Sequence, residues 1–283
     1  MSIYRRNGFW FRIFFASFVF AAGCANNANL SEQQSSPKTQ TEKLSSDSSD
    51  DSVIDTVVED LKAWPERLWD DARVTFTRPD NITALLLAGG ASVAMHQETD
   101  EKIADYFERH HKLRNFKDES LNIIGHPTTH LAASSLWYLL SVQNQDELNK
   151  QRAWTMRTAL TITWLTTMGL KAVRDNETPN GKDWAWPSGH TSSSFTVASV
   201  LDEFYGHEVG IPAYAVASLI AYRMMDTGDH WGSDIVFGAT LGWVVGHTVA
   251  GRDREFEIVG FKVVPFVPVT EKPMVGIGLL KRF

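Results

Sequence analysis

Residues 171–201 read KAVRDNETPNGKDWAWPSGHTSSSFTVASVL. The stretch leaves a helix that carries Lys171 and Arg174 and crosses a polar link with Pro179 and Gly181. It then opens a second helix at Pro187-Ser188-Gly189-His190. Ser188 supplies the hydroxyl of an N-cap ahead of an apolar run. The same pattern recurs on both sides. Apolar segments Ile82–Met95, Leu121–Val142, Thr158–Leu170, Phe195–Leu201, Ile211–Met225 and Ile235–Ala250 are separated by polar or Gly/Pro-containing links. None is an uninterrupted apolar run of the ~18 residues that a membrane helix requires. Arg157 and Lys171 bracket one segment, His126 and Pro127 interrupt another, and His247 sits in a third. The expected fold is therefore all-α, a bundle of buried helices over residues 56–255.

The C-terminus changes character. Phe256–Val269 and Met274–Phe283 are rich in Val, Ile and Phe, with Thr270–Pro273 as a turn. A short β-hairpin over 256–283 is expected, packed on the helices because two strands are unstable alone.

At the other end, Arg5, Arg6 and Arg12 precede the apolar run Ile13–Ala22. That is the layout of a secretory signal over residues 1–23, too short to span a bilayer. Ala21-Ala22-Gly23-Cys24 resembles a bacterial lipobox, with Ala21 where a leucine is usual. Cys24, the chain's single cysteine, would then carry the lipid, and Ala25 after it favours the outer over the inner membrane. Multiple acyl chains would hold the protein firmly, at ~0.8 kcal/mol per buried methylene. Residues 24–55, rich in Ser, Gln, Asn and Asp, are expected to form a disordered tether, since they cannot bury enough apolar surface to offset ordering entropy.

Composition narrows the class further. At 283 residues, 43% hydrophobic and 22% charged, the chain is neither collagen-like nor wholly disordered. One cysteine excludes an intramolecular disulfide and a cysteine-cluster zinc site. The formal charge of −7 argues against a nucleic-acid partner.

Chemistry-bearing residues fall in three clusters. Lys171 and Arg174 lie three apart on a helix and share a face, where two cations invite an anion. Ser188-Gly189-His190 opens a helix whose free amides and positive dipole end suit a phosphate, with Gly189 allowing close approach. Arg223 is followed by His230 and, four residues on, Asp234, a carboxylate able to fix the imidazole tautomer. Together they supply cations, amide donors and two histidines: parts for moving a phosphoryl group without metal.

These clusters resemble the type-2 phosphatidic acid phosphatase and vanadium haloperoxidase superfamily over about residues 154–251. The family signature is a lysine, six residues and Arg-Pro, then Pro-Ser-Gly-His, then Ser-Arg, a short gap and His-x-x-x-Asp. The resemblance implies a helical bundle and a phosphatase acting through a phosphohistidine with no metal or cofactor. His230 would attack phosphorus with Asp234 orienting it, and His190 would protonate the leaving oxygen. Lys171, Arg223 and the Ser188–Gly189 amides would hold the nonbridging oxygens.

The sequence departs from this pattern at Thr178, which stands where the family has arginine; Arg174 is a candidate substitute. Ala221 replaces a frequent serine, and the Arg223–His230 gap is one residue longer than usual. The expectation is a phosphatase of a phosphate monoester or pyrophosphate, favouring a lipid phosphate, tethered in the bacterial envelope with its core in the periplasm. A periplasmic acid phosphatase on soluble phosphoesters, a vanadate-dependent haloperoxidase and a degenerate phosphate-binding envelope protein are the alternatives.

Other residues read more plainly. His126 and His130 could bracket zinc, but Pro127 and the lack of a nearby Glu or Cys oppose it; the pocket mouth is their other placement. His110 and His111 read as solvated surface, and Asp229, beside His230, as an exposed loop acid, with tuning of the His230 pKa as its other role. Trp184 and Trp186 read equally as packing or as the wall of an apolar substrate site.

Overall fold

The computed structural model describes residues 47–113 and 116–252, with strand backbone at 257–258, 261–266 and 276–280. The proposed signal sequence, Cys24 and the turn at 270–273 lie outside the described residues.

Among the described residues the helices are α1 (Asp47–Thr77), α2 (Pro79–Glu98), α3 (Asp100–Arg109), α4 (Phe116–Gly125), α5 (Pro127–Gln143), α6 (Glu147–Arg174), α7 (Gly189–Tyr205), α8 (His207–Asp226) and α9 (Gly232–Arg252). None is long and apolar enough to cross a membrane. The all-helical expectation holds, with two differences. Helix α1 begins at Asp47, inside the stretch expected as tether; its opening residues are acidic, the sign that a helix N-terminus favours. The apolar stretch 121–142 divides into α4 and α5, because Pro127 cannot continue a helix but is suited to begin one.

Strands β1 (Glu257–Ile258), β2 (Phe261–Phe266) and β3 (Gly276–Leu280) are antiparallel in that order, with Val264 opposite Gly278. The hairpin expected over 256–283 stays an expectation, since its turn is not among the described residues.

The core is built around α6, α7 and α9. Met156, Leu160 and Ile162 of α6 meet Val200 of α7 and Phe237, Leu241, Val245 and Val249 of α9. Beside this apolar layer runs a seam of small residues. Gly238, Gly242 and Gly246 lie four apart and so share one face of α9. A Cβ at Gly242 would stand 2.2 Å from the Ser192 carbonyl oxygen, and one at Gly238 would stand 2.9 Å from that of Ser188. Hydroxyls line the neighbouring contact, where Thr163 and Thr167 of α6 bond Thr196 and Ser192 of α7 at 2.8 and 3.1 Å. Burying these hydroxyls is tolerable because each finds a partner. The seam brings the N-termini of α7 and α9 side by side.

Gly242→Ala is expected to destabilise the protein by about 1–3 kcal/mol, the usual range for overpacking a close contact. Gly90→Ala, where an added Cβ meets nothing within 4 Å, should instead stabilise α2 by roughly 0.5–1 kcal/mol. Urea denaturation of both variants checks the pair of signs.

Candidate active site

Three helix starts converge. Ser188 caps α7, its Oγ accepting from the Thr191 amide at 3.3 Å, as the sequence led one to expect. The Ser188 amide donates to the Asp234 carbonyl in the first turn of α9 at 3.3 Å. Buried Asp100, at the start of α3, accepts from the Ser233 amide at 3.0 Å and from its hydroxyl. The first residue of α5, Pro127, lies against Gly189. The positive ends of α5, α7 and α9 therefore face one small region.

His230 and Asp234 meet inside it. His230 Nδ1 is 3.2 Å from Asp234 Oδ2, which also accepts from the Trp231 amide at 2.9 Å. Both side chains are buried. An ionised carboxylate only accepts, so the ring proton sits on Nδ1 and the Nε2 lone pair is free. Burial lowers the His230 pKa, against which Asp234 pulls upward. The second Asp234 oxygen, Oδ1, is buried with no protein partner.

His190 occupies the second position of α7, and its Nε2 is likewise buried with no partner. Its pKa is pushed down to about 3, first by burial and then by the positive charges it would share with His126, His230 and Arg223. Those couplings put all four groups in one electrostatic neighbourhood.

The cations are all engaged. Lys171 is buried, and its ammonium donates to the Trp184 and Ala185 carbonyls, tying down the link between α6 and α7. Burial lowers its pKa to about 8, partly offset by Asp234. One of its three ammonium protons remains uncommitted by these two bonds. Arg223 Nε donates to Asp118 at 2.7 Å, and its Nη1 donates to Asp229 at 2.7 Å. Asp229 also accepts from Asn180 (2.8 Å), Thr227 (2.9 Å) and Lys182 (2.6 Å). These donors outweigh desolvation and leave its pKa lowered to about 2.

Several sequence expectations change here. Arg174, the suggested substitute for the family arginine, stacks on the Trp186 ring at 5.2 Å instead of joining Lys171. Thr178 is buried as a turn residue, its hydroxyl donating to Asn180 Oδ1 and accepting from the Lys182 amide. The turn carries Lys182 to Asp229, so this cation, and not Arg174, stands beside His230's neighbour. Asp229 is no surface acid but the hub of the pocket's ion pairs. Trp186 is packing: it lies 4.4 Å from the Phe237 ring and donates to Ser92. Trp184 is exposed, with φ 66°, its carbonyl held by Lys171. His111 is bound to Asp226 rather than solvated. The possible mouth position fits His126, whose ring stands perpendicular to His190 with centroids 5.0 Å apart.

Asp118 and Lys182 carried no sequence signal, lying 105 and 47 residues from their partners Arg223 and Asp229. Asp229 had one, adjacency to His230.

Residues 172–254 match the family model of the PAP2 superfamily. A 65-residue segment is 34% identical to the lipid A 1-phosphatase of Porphyromonas gingivalis, covering 22% of this chain and 15% of that protein. The matched segment thus spans a small part of the relative's length. Among solved structures, the chain is similar to a transmembrane PAP2 type phosphatidylglycerolphosphate phosphatase from Bacillus subtilis (TM-score 0.54, 18% identity), over 63% of this chain and 98% of that one. It is also similar to Aquifex aeolicus LpxE at a TM-score of 0.39 and 20% identity, over 52% of this chain and 93% of that one.

Acid should weaken the fold. His130 is held at a pKa of about 4 and His190 at about 3, both chiefly by burial, against 6.5 when unfolded. Between pH 6.5 and 4 the unfolded chain binds more protons, so stability falls as pH falls. Urea midpoints should drop from pH 7 to pH 4.5, and less steeply in His130→Gln; parallel curves would refute this assignment.

Proposed function

We propose that this chain, whose residues 172–254 match the PAP2 superfamily model, is a phosphoric ester hydrolase acting through a phosphohistidine on a phosphate monoester or pyrophosphate, favouring that of a lipid. The observation that carries the reading is the His230–Asp234 pair, with its free Nε2, in the same neighbourhood as the unpartnered Nε2 of His190.

In this mechanism Nε2 of His230 attacks phosphorus and the bond to the leaving oxygen breaks. His190 gives its proton to that oxygen. Water then attacks the phosphohistidine while His190 takes back a proton, releasing phosphate and restoring His230. Asp234 stabilises the charge that develops on the His230 ring. Burial keeps His190 neutral, yet it must be protonated to serve. An arriving phosphate dianion reverses the local field and raises its pKa. The amides of α7, the remaining Lys171 proton and the unused Arg223 donors surround the oxyanion. Arg223 already holds two carboxylates, so the substrate competes with Asp118 and Asp229 for it.

The lipid preference draws on two sources. Relatives similar to this chain are named as lipid phosphatases. Lipidation of Cys24, on the signal pattern read above, would hold the catalytic helices at a bilayer surface in the bacterial envelope, facing the periplasm.

The test is phosphate release by the purified full chain from phosphatidate, polyprenyl pyrophosphate and an aryl phosphate. His230→Ala should abolish it, while His190→Ala and Asp234→Asn should lower kcat on the order of 10²–10⁴-fold. Chelator should leave turnover intact and vanadate should inhibit. Full activity in His230→Ala would end the proposal, and activity confined to the aryl phosphate would favour the soluble-substrate alternative.

Asp118→Asn should tighten inhibition by inorganic phosphate roughly 2- to 5-fold, the worth of one partly exposed ion pair. An unchanged or weaker inhibition constant would show that Asp118 does not compete.

A further inference from the structure

One imidazole near the pocket has no part in the scheme above. His126 is the N-cap of α5, and its ring stands edge-on to His190 with centroids 5.0 Å apart and planes at 90°. It is exposed where His190 is half-buried, so it stands on the solvent side of that residue. Pro127, immediately after it, rests on Gly189 and fixes its position relative to the start of α7.

The tautomer of His126 is set by its own helix. The Thr128 amide donates to Nδ1 at 3.3 Å, and the Thr128 hydroxyl lies 2.7 Å from the same atom. A backbone amide can only donate, so Nδ1 is an acceptor and the ring proton sits on Nε2. Partial desolvation of the ring and the positive end of α5 both disfavour a second proton. With Nδ1 engaged, the ring cannot take a proton on one side and pass it from the other. Its remaining polar atom is then one neutral N–H.

We propose that His126 is a substrate-binding residue on the leaving-group side, where its Nε2–H holds an acceptor oxygen carried by the leaving group. This rests on the reading of His230 as attacking group and His190 as leaving-group acid. If His190 meets the scissile oxygen, the next group outward meets what that oxygen is attached to. An oxygen one or two bonds beyond the scissile bond falls to His126. The ligand chemistry is therefore a leaving group with oxygens close to the broken bond, for which the second phosphate of a phosphoanhydride makes the stronger, charge-assisted bond. A bare aryl or alkyl leaving group has nothing for it to hold.

The experiment compares kcat/KM for inorganic pyrophosphate and for p-nitrophenyl phosphate in the full chain. His126→Phe keeps a ring against His190 but removes the N–H; His126→Gln keeps a donor and an acceptor for the α5 cap. The pyrophosphate-to-aryl ratio should fall about tenfold in His126→Phe, the worth of one hydrogen bond to a charged group. It should recover at least in part in His126→Gln. Equal losses on both substrates, which would mark a purely structural role, would overturn the proposal, as would an unchanged ratio. So would a wild-type protein that cleaves only the aryl ester. If these failures come with a dead His230→Ala variant, the phosphatase reading stands without this residue; a wild type inert on both substrates and on the lipid phosphates sinks the two together.

Discussion

The pocket depends on how closely two helices can approach. Gly238, Gly242 and Gly246 give α9 a face without side chains, and the backbone of α7 lies directly on it. That approach sets the Ser188 amide on the Asp234 carbonyl and therefore sets the start of α7, with His190, against the start of α9, with Asp234. His190 stands on α7 itself, and His230 sits in the turn just ahead of α9. A bulkier seam would separate the helices before it disturbed any residue of the site.

Electrostatics in this pocket are arranged by exclusion as much as by attraction. His190 and His130 are kept neutral by burial, and Lys171 and His230 are shifted in the same direction. Arg223 fits this buried position because a guanidinium offers several donors at once. Its partners come from separated parts of the chain: Asp118 on α4 and Asp229 ahead of α9. Asp229 further gathers Lys182 and Asn180 from the link between α6 and α7. One carboxylate thus ties that link to the turn carrying His230.

Much of the helical framework was legible, because period and punctuation are local properties. Ser188 marks a helix start by its own chemistry, and His230 and Asp234 reveal their pairing through a spacing of four. The stacking of Arg174 on Trp186 was not legible, because sharing a face with Lys171 says nothing about a tryptophan returning from residue 186. Thr178 looked like a lost clamp in sequence; in space it is the corner that swings Lys182 toward Asp229. Asp118 was illegible for a simpler reason, since nothing near it in the chain hints at an arginine 105 residues away. The α1 start misled because a polar, acidic run reads as solvated chain whether or not a helix begins there.

The balanced state of Arg223 has a kinetic meaning. On the proposed reading, an anion arriving there would not fall into an empty positive well; it would change places with a carboxylate, as on an ion-exchange resin. The displaced carboxylates stay tethered beside the guanidinium, so their return would assist departure of the spent oxyanion. Such a cavity favours throughput over retention.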